Sequence, residues 1–365
     1  MTKRFHFFLL GLLIFCFSCK DSNKEIDDSK KSIRFIDKVS IKNDQLIDST
    51  LVGGLSSIDF IEGYRYVLIS DDRSEYSPAR IYEMSIQFDT AGFHHFNFIE
   101  TTFLKNKNGA VFEKNELDAE SIRYRARTNS FIYTSEGGRT YDGIKPFIRE
   151  MNQSGMFLAD VKVPDIFAFK DGKGLRDNGA FESLTLENDS IIWYTNELPL
   201  IEDGEVPSFE DAPYPIRLVR QNIKNNEVLN QYVYLISPTE EKPIPSEGFY
   251  INSVPEMLYI DQNTLWVIER AYSEGVGNFV KVFEVKTEEA TDVKGSKALT
   301  NIKYQAVSKK LILDFSDFNQ KIDNIEGMTF GPDFPNGDKS LLFISDDNFS
   351  KLQETQLWLF AVSDI

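Results

Sequence analysis

GGLSSIDF at 53–60, followed by YRYVLISDD at 64–72, reads as an alternating strand, a tight turn and a second apolar strand ending in two aspartates. The plan returns as AESIRYRA (119–126) with SFIYTSE (130–136), and as FESLTLEN (181–188) with SIIWYTNE (190–197). It returns again as PEMLYIDQ (255–262) with TLWVIER (264–270), and as IEGMTFGP (325–332) with SLLFISDD (340–347). The opening position holds Gly54, Glu120, Glu182, Glu256 and Glu326, at intervals of 66, 62, 74 and 70 residues. Further period-two segments lie between these pairs: RIYEMSIQF (80–88), PIRLVRQNI (215–223), FVKVFEV (279–285) and QLWLFAV (356–362). Alternation of this kind marks strands, and self-similarity at a fixed period marks a repeat architecture.

A unit of this length with four short strands suits one propeller blade carrying a long loop. The expected fold is therefore all-β, a β-propeller of about five to seven four-stranded blades, with five units visible and room for a divergent sixth. Residues 33–50 lead the first unit and LWLFAV lies close to the C-terminus, so one blade is expected to mix strands from both ends. Such closure removes exposed strand edges. A stack of hairpins or a two-sheet sandwich would also alternate, but a sandwich rarely repeats one motif five times at near-constant spacing.

With 57 acidic against 40 basic residues the net charge is −17, which argues against binding nucleic-acid phosphates. The 30 Phe and 15 Tyr favour strands over helices. The two cysteines are Cys16 and Cys19, so the chain beyond them has no disulfide, thiolate metal site or catalytic cysteine.

Lys3 and Arg4 precede an apolar run from Phe5 to Phe17, short for a membrane span, and Ser18-Cys19 follows. This resembles a lipoprotein signal with Cys19 as the lipidated residue. An ordinary signal peptide or an uncut anchor are the alternatives. The expected organisation is a signal peptide at 1–18, a polar tether at 19–32 and the propeller at 33–365. Acidic residues after Cys19 resemble the surface-export signals of Bacteroidetes-type lipoproteins. The expected location is the cell envelope of a Gram-negative bacterium, in the outer membrane or periplasm, touching the membrane through the lipid anchor only.

In an antiparallel hairpin the start of one strand lies beside the end of the next. Glu120 is thus expected near Glu136, Glu182 near Glu197, Glu256 near Glu269, and Glu326 near Asp346 or Asp347. The first strand of a blade usually lines the channel, so Glu120, Glu182, Glu256 and Glu326 should converge on one mouth, with Gly54 leaving a gap in the ring. Crowded carboxylates need compensation. Oxygen ligands suit Ca²⁺, which these four glutamates would hold. Arg73, Arg139 and Arg270 follow the acidic clusters and suit a phosphate. In this reading Glu182, Arg139 and Arg270 are the catalytic group. The alternative is that the carboxylates only lock blade to blade.

DGKGLRDNGAFE (171–182) places Asp and Glu as an EF-hand loop does, but Lys173, Leu175 and Arg176 occupy ligand or glycine positions, so it is not one. His94 and His95 are adjacent and point to opposite faces. No G-x-S-x-G elbow, P-loop or dinucleotide fingerprint is present. Trp193, Trp266 and Trp358 fall within strands and are expected in the core.

GGLSSIDF with ISDDRS, ELDAESIRY with YTSEGGR, GAFESLTL with WYTNELP, and SVPEMLYI with WVIERAY resemble the bacterial phytase-like propeller proteins, those with esterase-like activity of phytase. The resemblance spans roughly residues 50–363 and matches in motif order. It implies a propeller, an envelope or secreted location, and a hydrolase acting on small-molecule phosphate or other esters, with calcium. The long metal-ligand motifs of the true phytases are not evident. A non-catalytic propeller binding a ligand or partner at the cell surface is the alternative function.

Overall fold

The computed structural model describes residues 32–42, 44–138 and 144–365. Among them, five four-stranded antiparallel sheets form the blades of a propeller. Blade I is Leu55–Glu62, Arg65–Ser70, Arg80–Asp89 and Gly92–Phe103. Blade II is Ala119–Arg125, Ser130–Ser135, Phe147–Asn152 and Phe157–Val161. Blade III is Phe181–Asn188, Ile191–Asn196, Tyr214–Asn222 and Glu227–Ile236. Blade IV is Tyr250–Asp261, Thr264–Ser273, Gly277–Lys286 and Ser308–Asp314. Blade V joins Asn324–Phe330, Lys339–Asp346 and Thr355–Ser363 to Ser32–Ile41 from the other end of the chain.

That last pairing closes the ring as expected, with Phe35 opposite Phe360 and Ile41 opposite Thr355. The first strand of each of the other blades, and Asn324–Phe330 of blade V, contacts its counterpart in the next blade and so faces the axis.

The core is divided into layers, one between each pair of neighbouring blades. Successive residues of a strand point to opposite faces. Phe131 and Tyr133 therefore pack against blade I, while Ile132 between them packs against blade III. Both faces of a blade are buried, which is why runs such as LWLFAV are almost wholly apolar. The three tryptophans are buried in these layers, as expected.

Two local features position the functional side chains. The inner strands of blades I, III and V carry a bulge between Leu55 and Ser57, Phe181 and Ser183, and Ile325 and Gly327. Blade II breaks register between Ala119 and Ile122, and blade IV between Ser253 and Glu256. A bulge leaves one residue out of the ladder and re-aims its side chain. Blade IV is also longer than the rest. Its first two strands have 12 and 10 residues, against 8 and 6 in blades I and III.

Candidate functional site at the channel mouth

The bulge residues are Ser56, Glu182 and Glu326 in blades I, III and V, and Glu120 is their counterpart in blade II. The second strands bring a matching set: Asp71, Glu136, Glu197 and Asp346 each follow the residue that pairs beside the bulge. All of these except Ser56 line one cavity of about 990 Å³ at one end of the channel.

At this mouth Asp118, Glu120 and Glu136 present carboxylate oxygens within 4.8 Å of one another, and so do Glu136, Glu182 and Glu197. Glu136 belongs to both triads. The expected pairs Glu120–Glu136 and Glu182–Glu197 are thus formed. Glu326 also lies close enough to Asp346 to add to the rise in its proton affinity that burial causes.

Two arginines enter this acidic ring. Arg73 pairs with Asp118 and donates to Asn178 Oδ1 at 3.2 Å. Arg270 occupies the blade IV position that holds Asp71, Glu136, Glu197 and Asp346 in the other blades. Its Nη2 lies 2.9 Å from Glu326 Oε1 and 3.6 Å from Glu197 Oε1.

Burial, reinforced by carboxylate neighbours, pushes Asp71, Glu120, Glu136, Glu182 and Asp346 well above the ordinary carboxylate range. Burial raises Glu197 as well, and Arg270 draws it part of the way back. Glu326, raised by burial and lowered by Arg270, is pushed up to about 7. Burial disfavours the charged form of both arginines, but Asp118 for Arg73 and Glu326 for Arg270 outweigh it, and both are held above their usual value. Carboxylates in such an array must either keep protons or share a cation. The donor set consists of hard oxygens, and Asp71 Oδ1 is buried at the cavity without a hydrogen-bond partner. This chemistry fits a hard divalent cation of the Ca²⁺ type.

The structure corrects several expectations. Glu256 is not in the ring. The blade IV bulge places Glu256 opposite Ile268, the position of Ser183 opposite Thr195 in blade III. Pro255 therefore stands where Glu182 stands. A slip of one residue turns a side chain to the other face. Glu256 instead lies deeper in the channel, fully buried, 2.5 Å from Arg123 Nη2 and 3.1 Å from Ser57 Oγ.

Glu269 is turned away as well, accepting from Tyr234 at 2.6 Å and from Lys309 at 2.5 Å. Gly54 is not the ring position of blade I. Ser56 is, and Asp71 fills the space, since a Cβ on Gly54 (φ +60°) would lie 2.0 Å from Asp71 Oδ1. Asp72 leaves the mouth for a buried pair with Arg80 at 2.7 Å, and Asp347 accepts from the amides of Gly54 and Phe349. Arg139 and Cys19 lie outside the described residues.

His94 and His95 sit on the outer strand of blade I, where His94 pairs with Asp89 at 2.7 Å. Arg149 and Arg217 bind Asp160 and Asp203 at 2.8 and 2.6 Å, and Arg176 donates to backbone carbonyls. The sequence reading did not single out Asp71 or Asp118. The ISDD run held the first, but strand parity alone does not say which aspartate faces the axis.

Fold and site together define a five-bladed β-propeller with an acidic, arginine-bearing mouth at one end of its channel. The chain belongs to the phytase-like family described by esterase-like activity of phytase, whose model matches residues 50–349.

No curated protein matches the chain. Among solved structures, it is similar to the Bacteroides ovatus xyloglucan-locus family-43 glycoside hydrolase, at 10% identity and a TM-score of 0.43, covering 88% of this chain and 54% of that one. A family-43 β-1,3-galactosidase shows 10% identity and a TM-score of 0.46, with 89% and 60% covered. A thermostable family-43 glycoside hydrolase shows 12% identity and a TM-score of 0.42, with 89% and 95% covered. The chain thus spans a little over half the length of the first two.

Proposed function

We propose that the protein is a divalent-cation-dependent hydrolase of small-molecule esters or phosphate esters, acting at the mouth of the propeller channel. The observation that carries this reading is the pair of carboxylate triads sharing Glu136 beside Arg73 and Arg270. Family membership supports the ester class. Asp118, Glu120, Glu136, Glu182 and Glu197 would hold the metal, with calcium the natural choice for an all-carboxylate set. When bound, the cation supplies Lewis acidity toward the oxygens of an ester. Arg270 and Arg73 present guanidinium donors for anionic oxygens. Glu326, with its proton affinity near neutrality, can take or give a proton beside them.

Calcium titration of the purified protein by calorimetry, with turnover of aryl and alkyl phosphate and carboxylate esters assayed alongside, tests the reading. Uptake of calcium together with metal-dependent turnover is the expected result. Neither uptake nor turnover on any ester would remove it.

A second reading, a non-catalytic binding propeller, draws on the placement of both described histidines on an outer strand, away from the cavity. It predicts ligand binding with no turnover in the same assay. We also propose that Cys19 anchors the protein in the cell envelope by a lipid, on the leader and Ser18-Cys19 alone. Cys19→Ser should then move the protein from the membrane fraction to the soluble one.

A further inference from the structure

Only part of the cavity is polar. The extra length of blade IV adds the pairs Tyr250–Ser273, Ile251–Tyr272 and Asn252–Ala271 beyond the level of Arg270. Three pairs raise this blade about 10 Å above the mouth. Its cavity side carries Phe249, Ile251, Tyr272 and Val276.

The wall is held in place, although it is open to solvent. Phe249 is 60% exposed and Val276 42% exposed, yet the Phe249 amide donates to Glu274 Oε2 and its carbonyl accepts from the Glu274 amide, both at 2.8 Å. The Phe249 and Tyr272 rings approach with centroids 6.2 Å apart. Arg270 and Tyr272 are two residues apart on one strand and so share a face. A ligand anion at Arg270 would therefore lie about 7 Å along that face from the aromatic wall, the span of a phenyl ester.

The polar side of the cavity sets the other limit. Asp118 and eight carboxylates lining the cavity (Asp71, Glu120, Glu136, Glu182, Glu197, Asp323, Glu326 and Asp346) face three cations, Arg73, Arg270 and Lys321, the last paired with Asp323 at 3.3 Å. Divalent cations in both triads would still not make this mouth strongly positive, so it offers no seat for a polyanion.

We infer that the site takes esters with a single anionic group at the arginine–carboxylate mouth and an apolar or aromatic part seated on Phe249, Tyr272, Ile251 and Val276. The inference rests on the proposed anion seat at Arg270 and adds the substrate class.

Binding of non-hydrolysable probes to the full chain, with calcium present, tests it by calorimetry. Phenylphosphonate should bind about fivefold to tenfold tighter than methylphosphonate, the scale of one aromatic contact. Inositol trisphosphate should bind no tighter than methylphosphonate. Phe249→Ala and Tyr272→Ala should erase the phenyl preference and leave methylphosphonate binding unchanged. Phe249 is exposed enough for its truncation to spare the fold, which melting by circular dichroism verifies.

Equal binding of the two phosphonates, a phenyl preference that survives both substitutions, or tighter binding of the trisphosphate each overturns the inference while leaving the anion seat standing. Failure of all three probes to bind overturns the seat and the inference together.

Discussion

Arg270 Nη2 lies 2.9 Å from Glu326 Oε1, across the boundary between blades IV and V, where every other blade contributes a carboxylate in place of the arginine. One cation in the fivefold pattern makes the mouth asymmetric. The two carboxylate triads lie toward blades II and III, and the cationic and apolar surface lies on blade IV.

Removing that charge should separate anion binding from metal binding. Arg270→Gln is expected to weaken phosphonate binding by about tenfold or more, the loss of a charge-assisted pair. Calcium should bind as tightly as before, or tighter, because a neighbouring positive charge is gone. Parallel calorimetric titrations check both, and loss of calcium binding with anion binding intact would contradict the assignment.

Glu136 is shared by both triads, so Glu136→Gln should weaken calcium binding by about two orders of magnitude. The same change removes a carboxyl whose charged form is disfavoured in the metal-free protein by burial first and by its carboxylate neighbours second. Its melting temperature in chelator should therefore rise, while the stabilisation conferred by calcium shrinks. Melting curves with and without calcium read out both signs.

The mouth carboxylates predict a pH slope of unusual sign. Their proton affinity is higher folded than unfolded, with Glu326 at about 7 against an ordinary value of 4.5. The folded state then binds more protons, so this contribution is fully present below the unfolded pKa and is lost as pH rises through the folded one. In chelator, stability to denaturant should fall between about pH 4.5 and pH 7 or above, and saturating calcium should flatten that slope. Urea midpoints across the range measure it.

Deeper in the channel, Arg123 and Glu256 are both buried and 2.5 Å apart. Breaking such a pair from one side strands a charge and costs about 3–5 kcal/mol. Glu256→Leu and Arg123→Met should each destabilise by that order, and the double variant by less than either alone. A double-mutant cycle on unfolding free energies gives the coupling, and simple additivity would deny the pair its role.

Much of this molecule was legible in its sequence. Five copies of one hairpin gave the propeller, and the leading and trailing strands gave its closure, because local alternation and repetition need no knowledge of distant contacts. The pairs Glu120–Glu136 and Glu182–Glu197 followed from antiparallel geometry alone. Glu256 was misplaced because PEM aligns with FES by eye, whereas the chain inserts its bulge at Val254–Pro255 and inverts the parity that follows. Pro255, which has no amide to donate to the ladder, was the available hint. Alignment of Trp266 with Trp193 was another.

The sequence by itself determined the building block, its repetition and the acidic character of one end of each hairpin, since these depend on residue type and short-range spacing, while the count of five blades came from the structure. Only the tertiary structure decided which acid of each pair faces the axis, that Glu136 serves two triads, that Arg270 breaks the ring, and that blade IV rises as an apolar wall. Those depend on bulge register and on how far each strand runs past its neighbour, and a one-residue difference in either sends the same side chain to the opposite face.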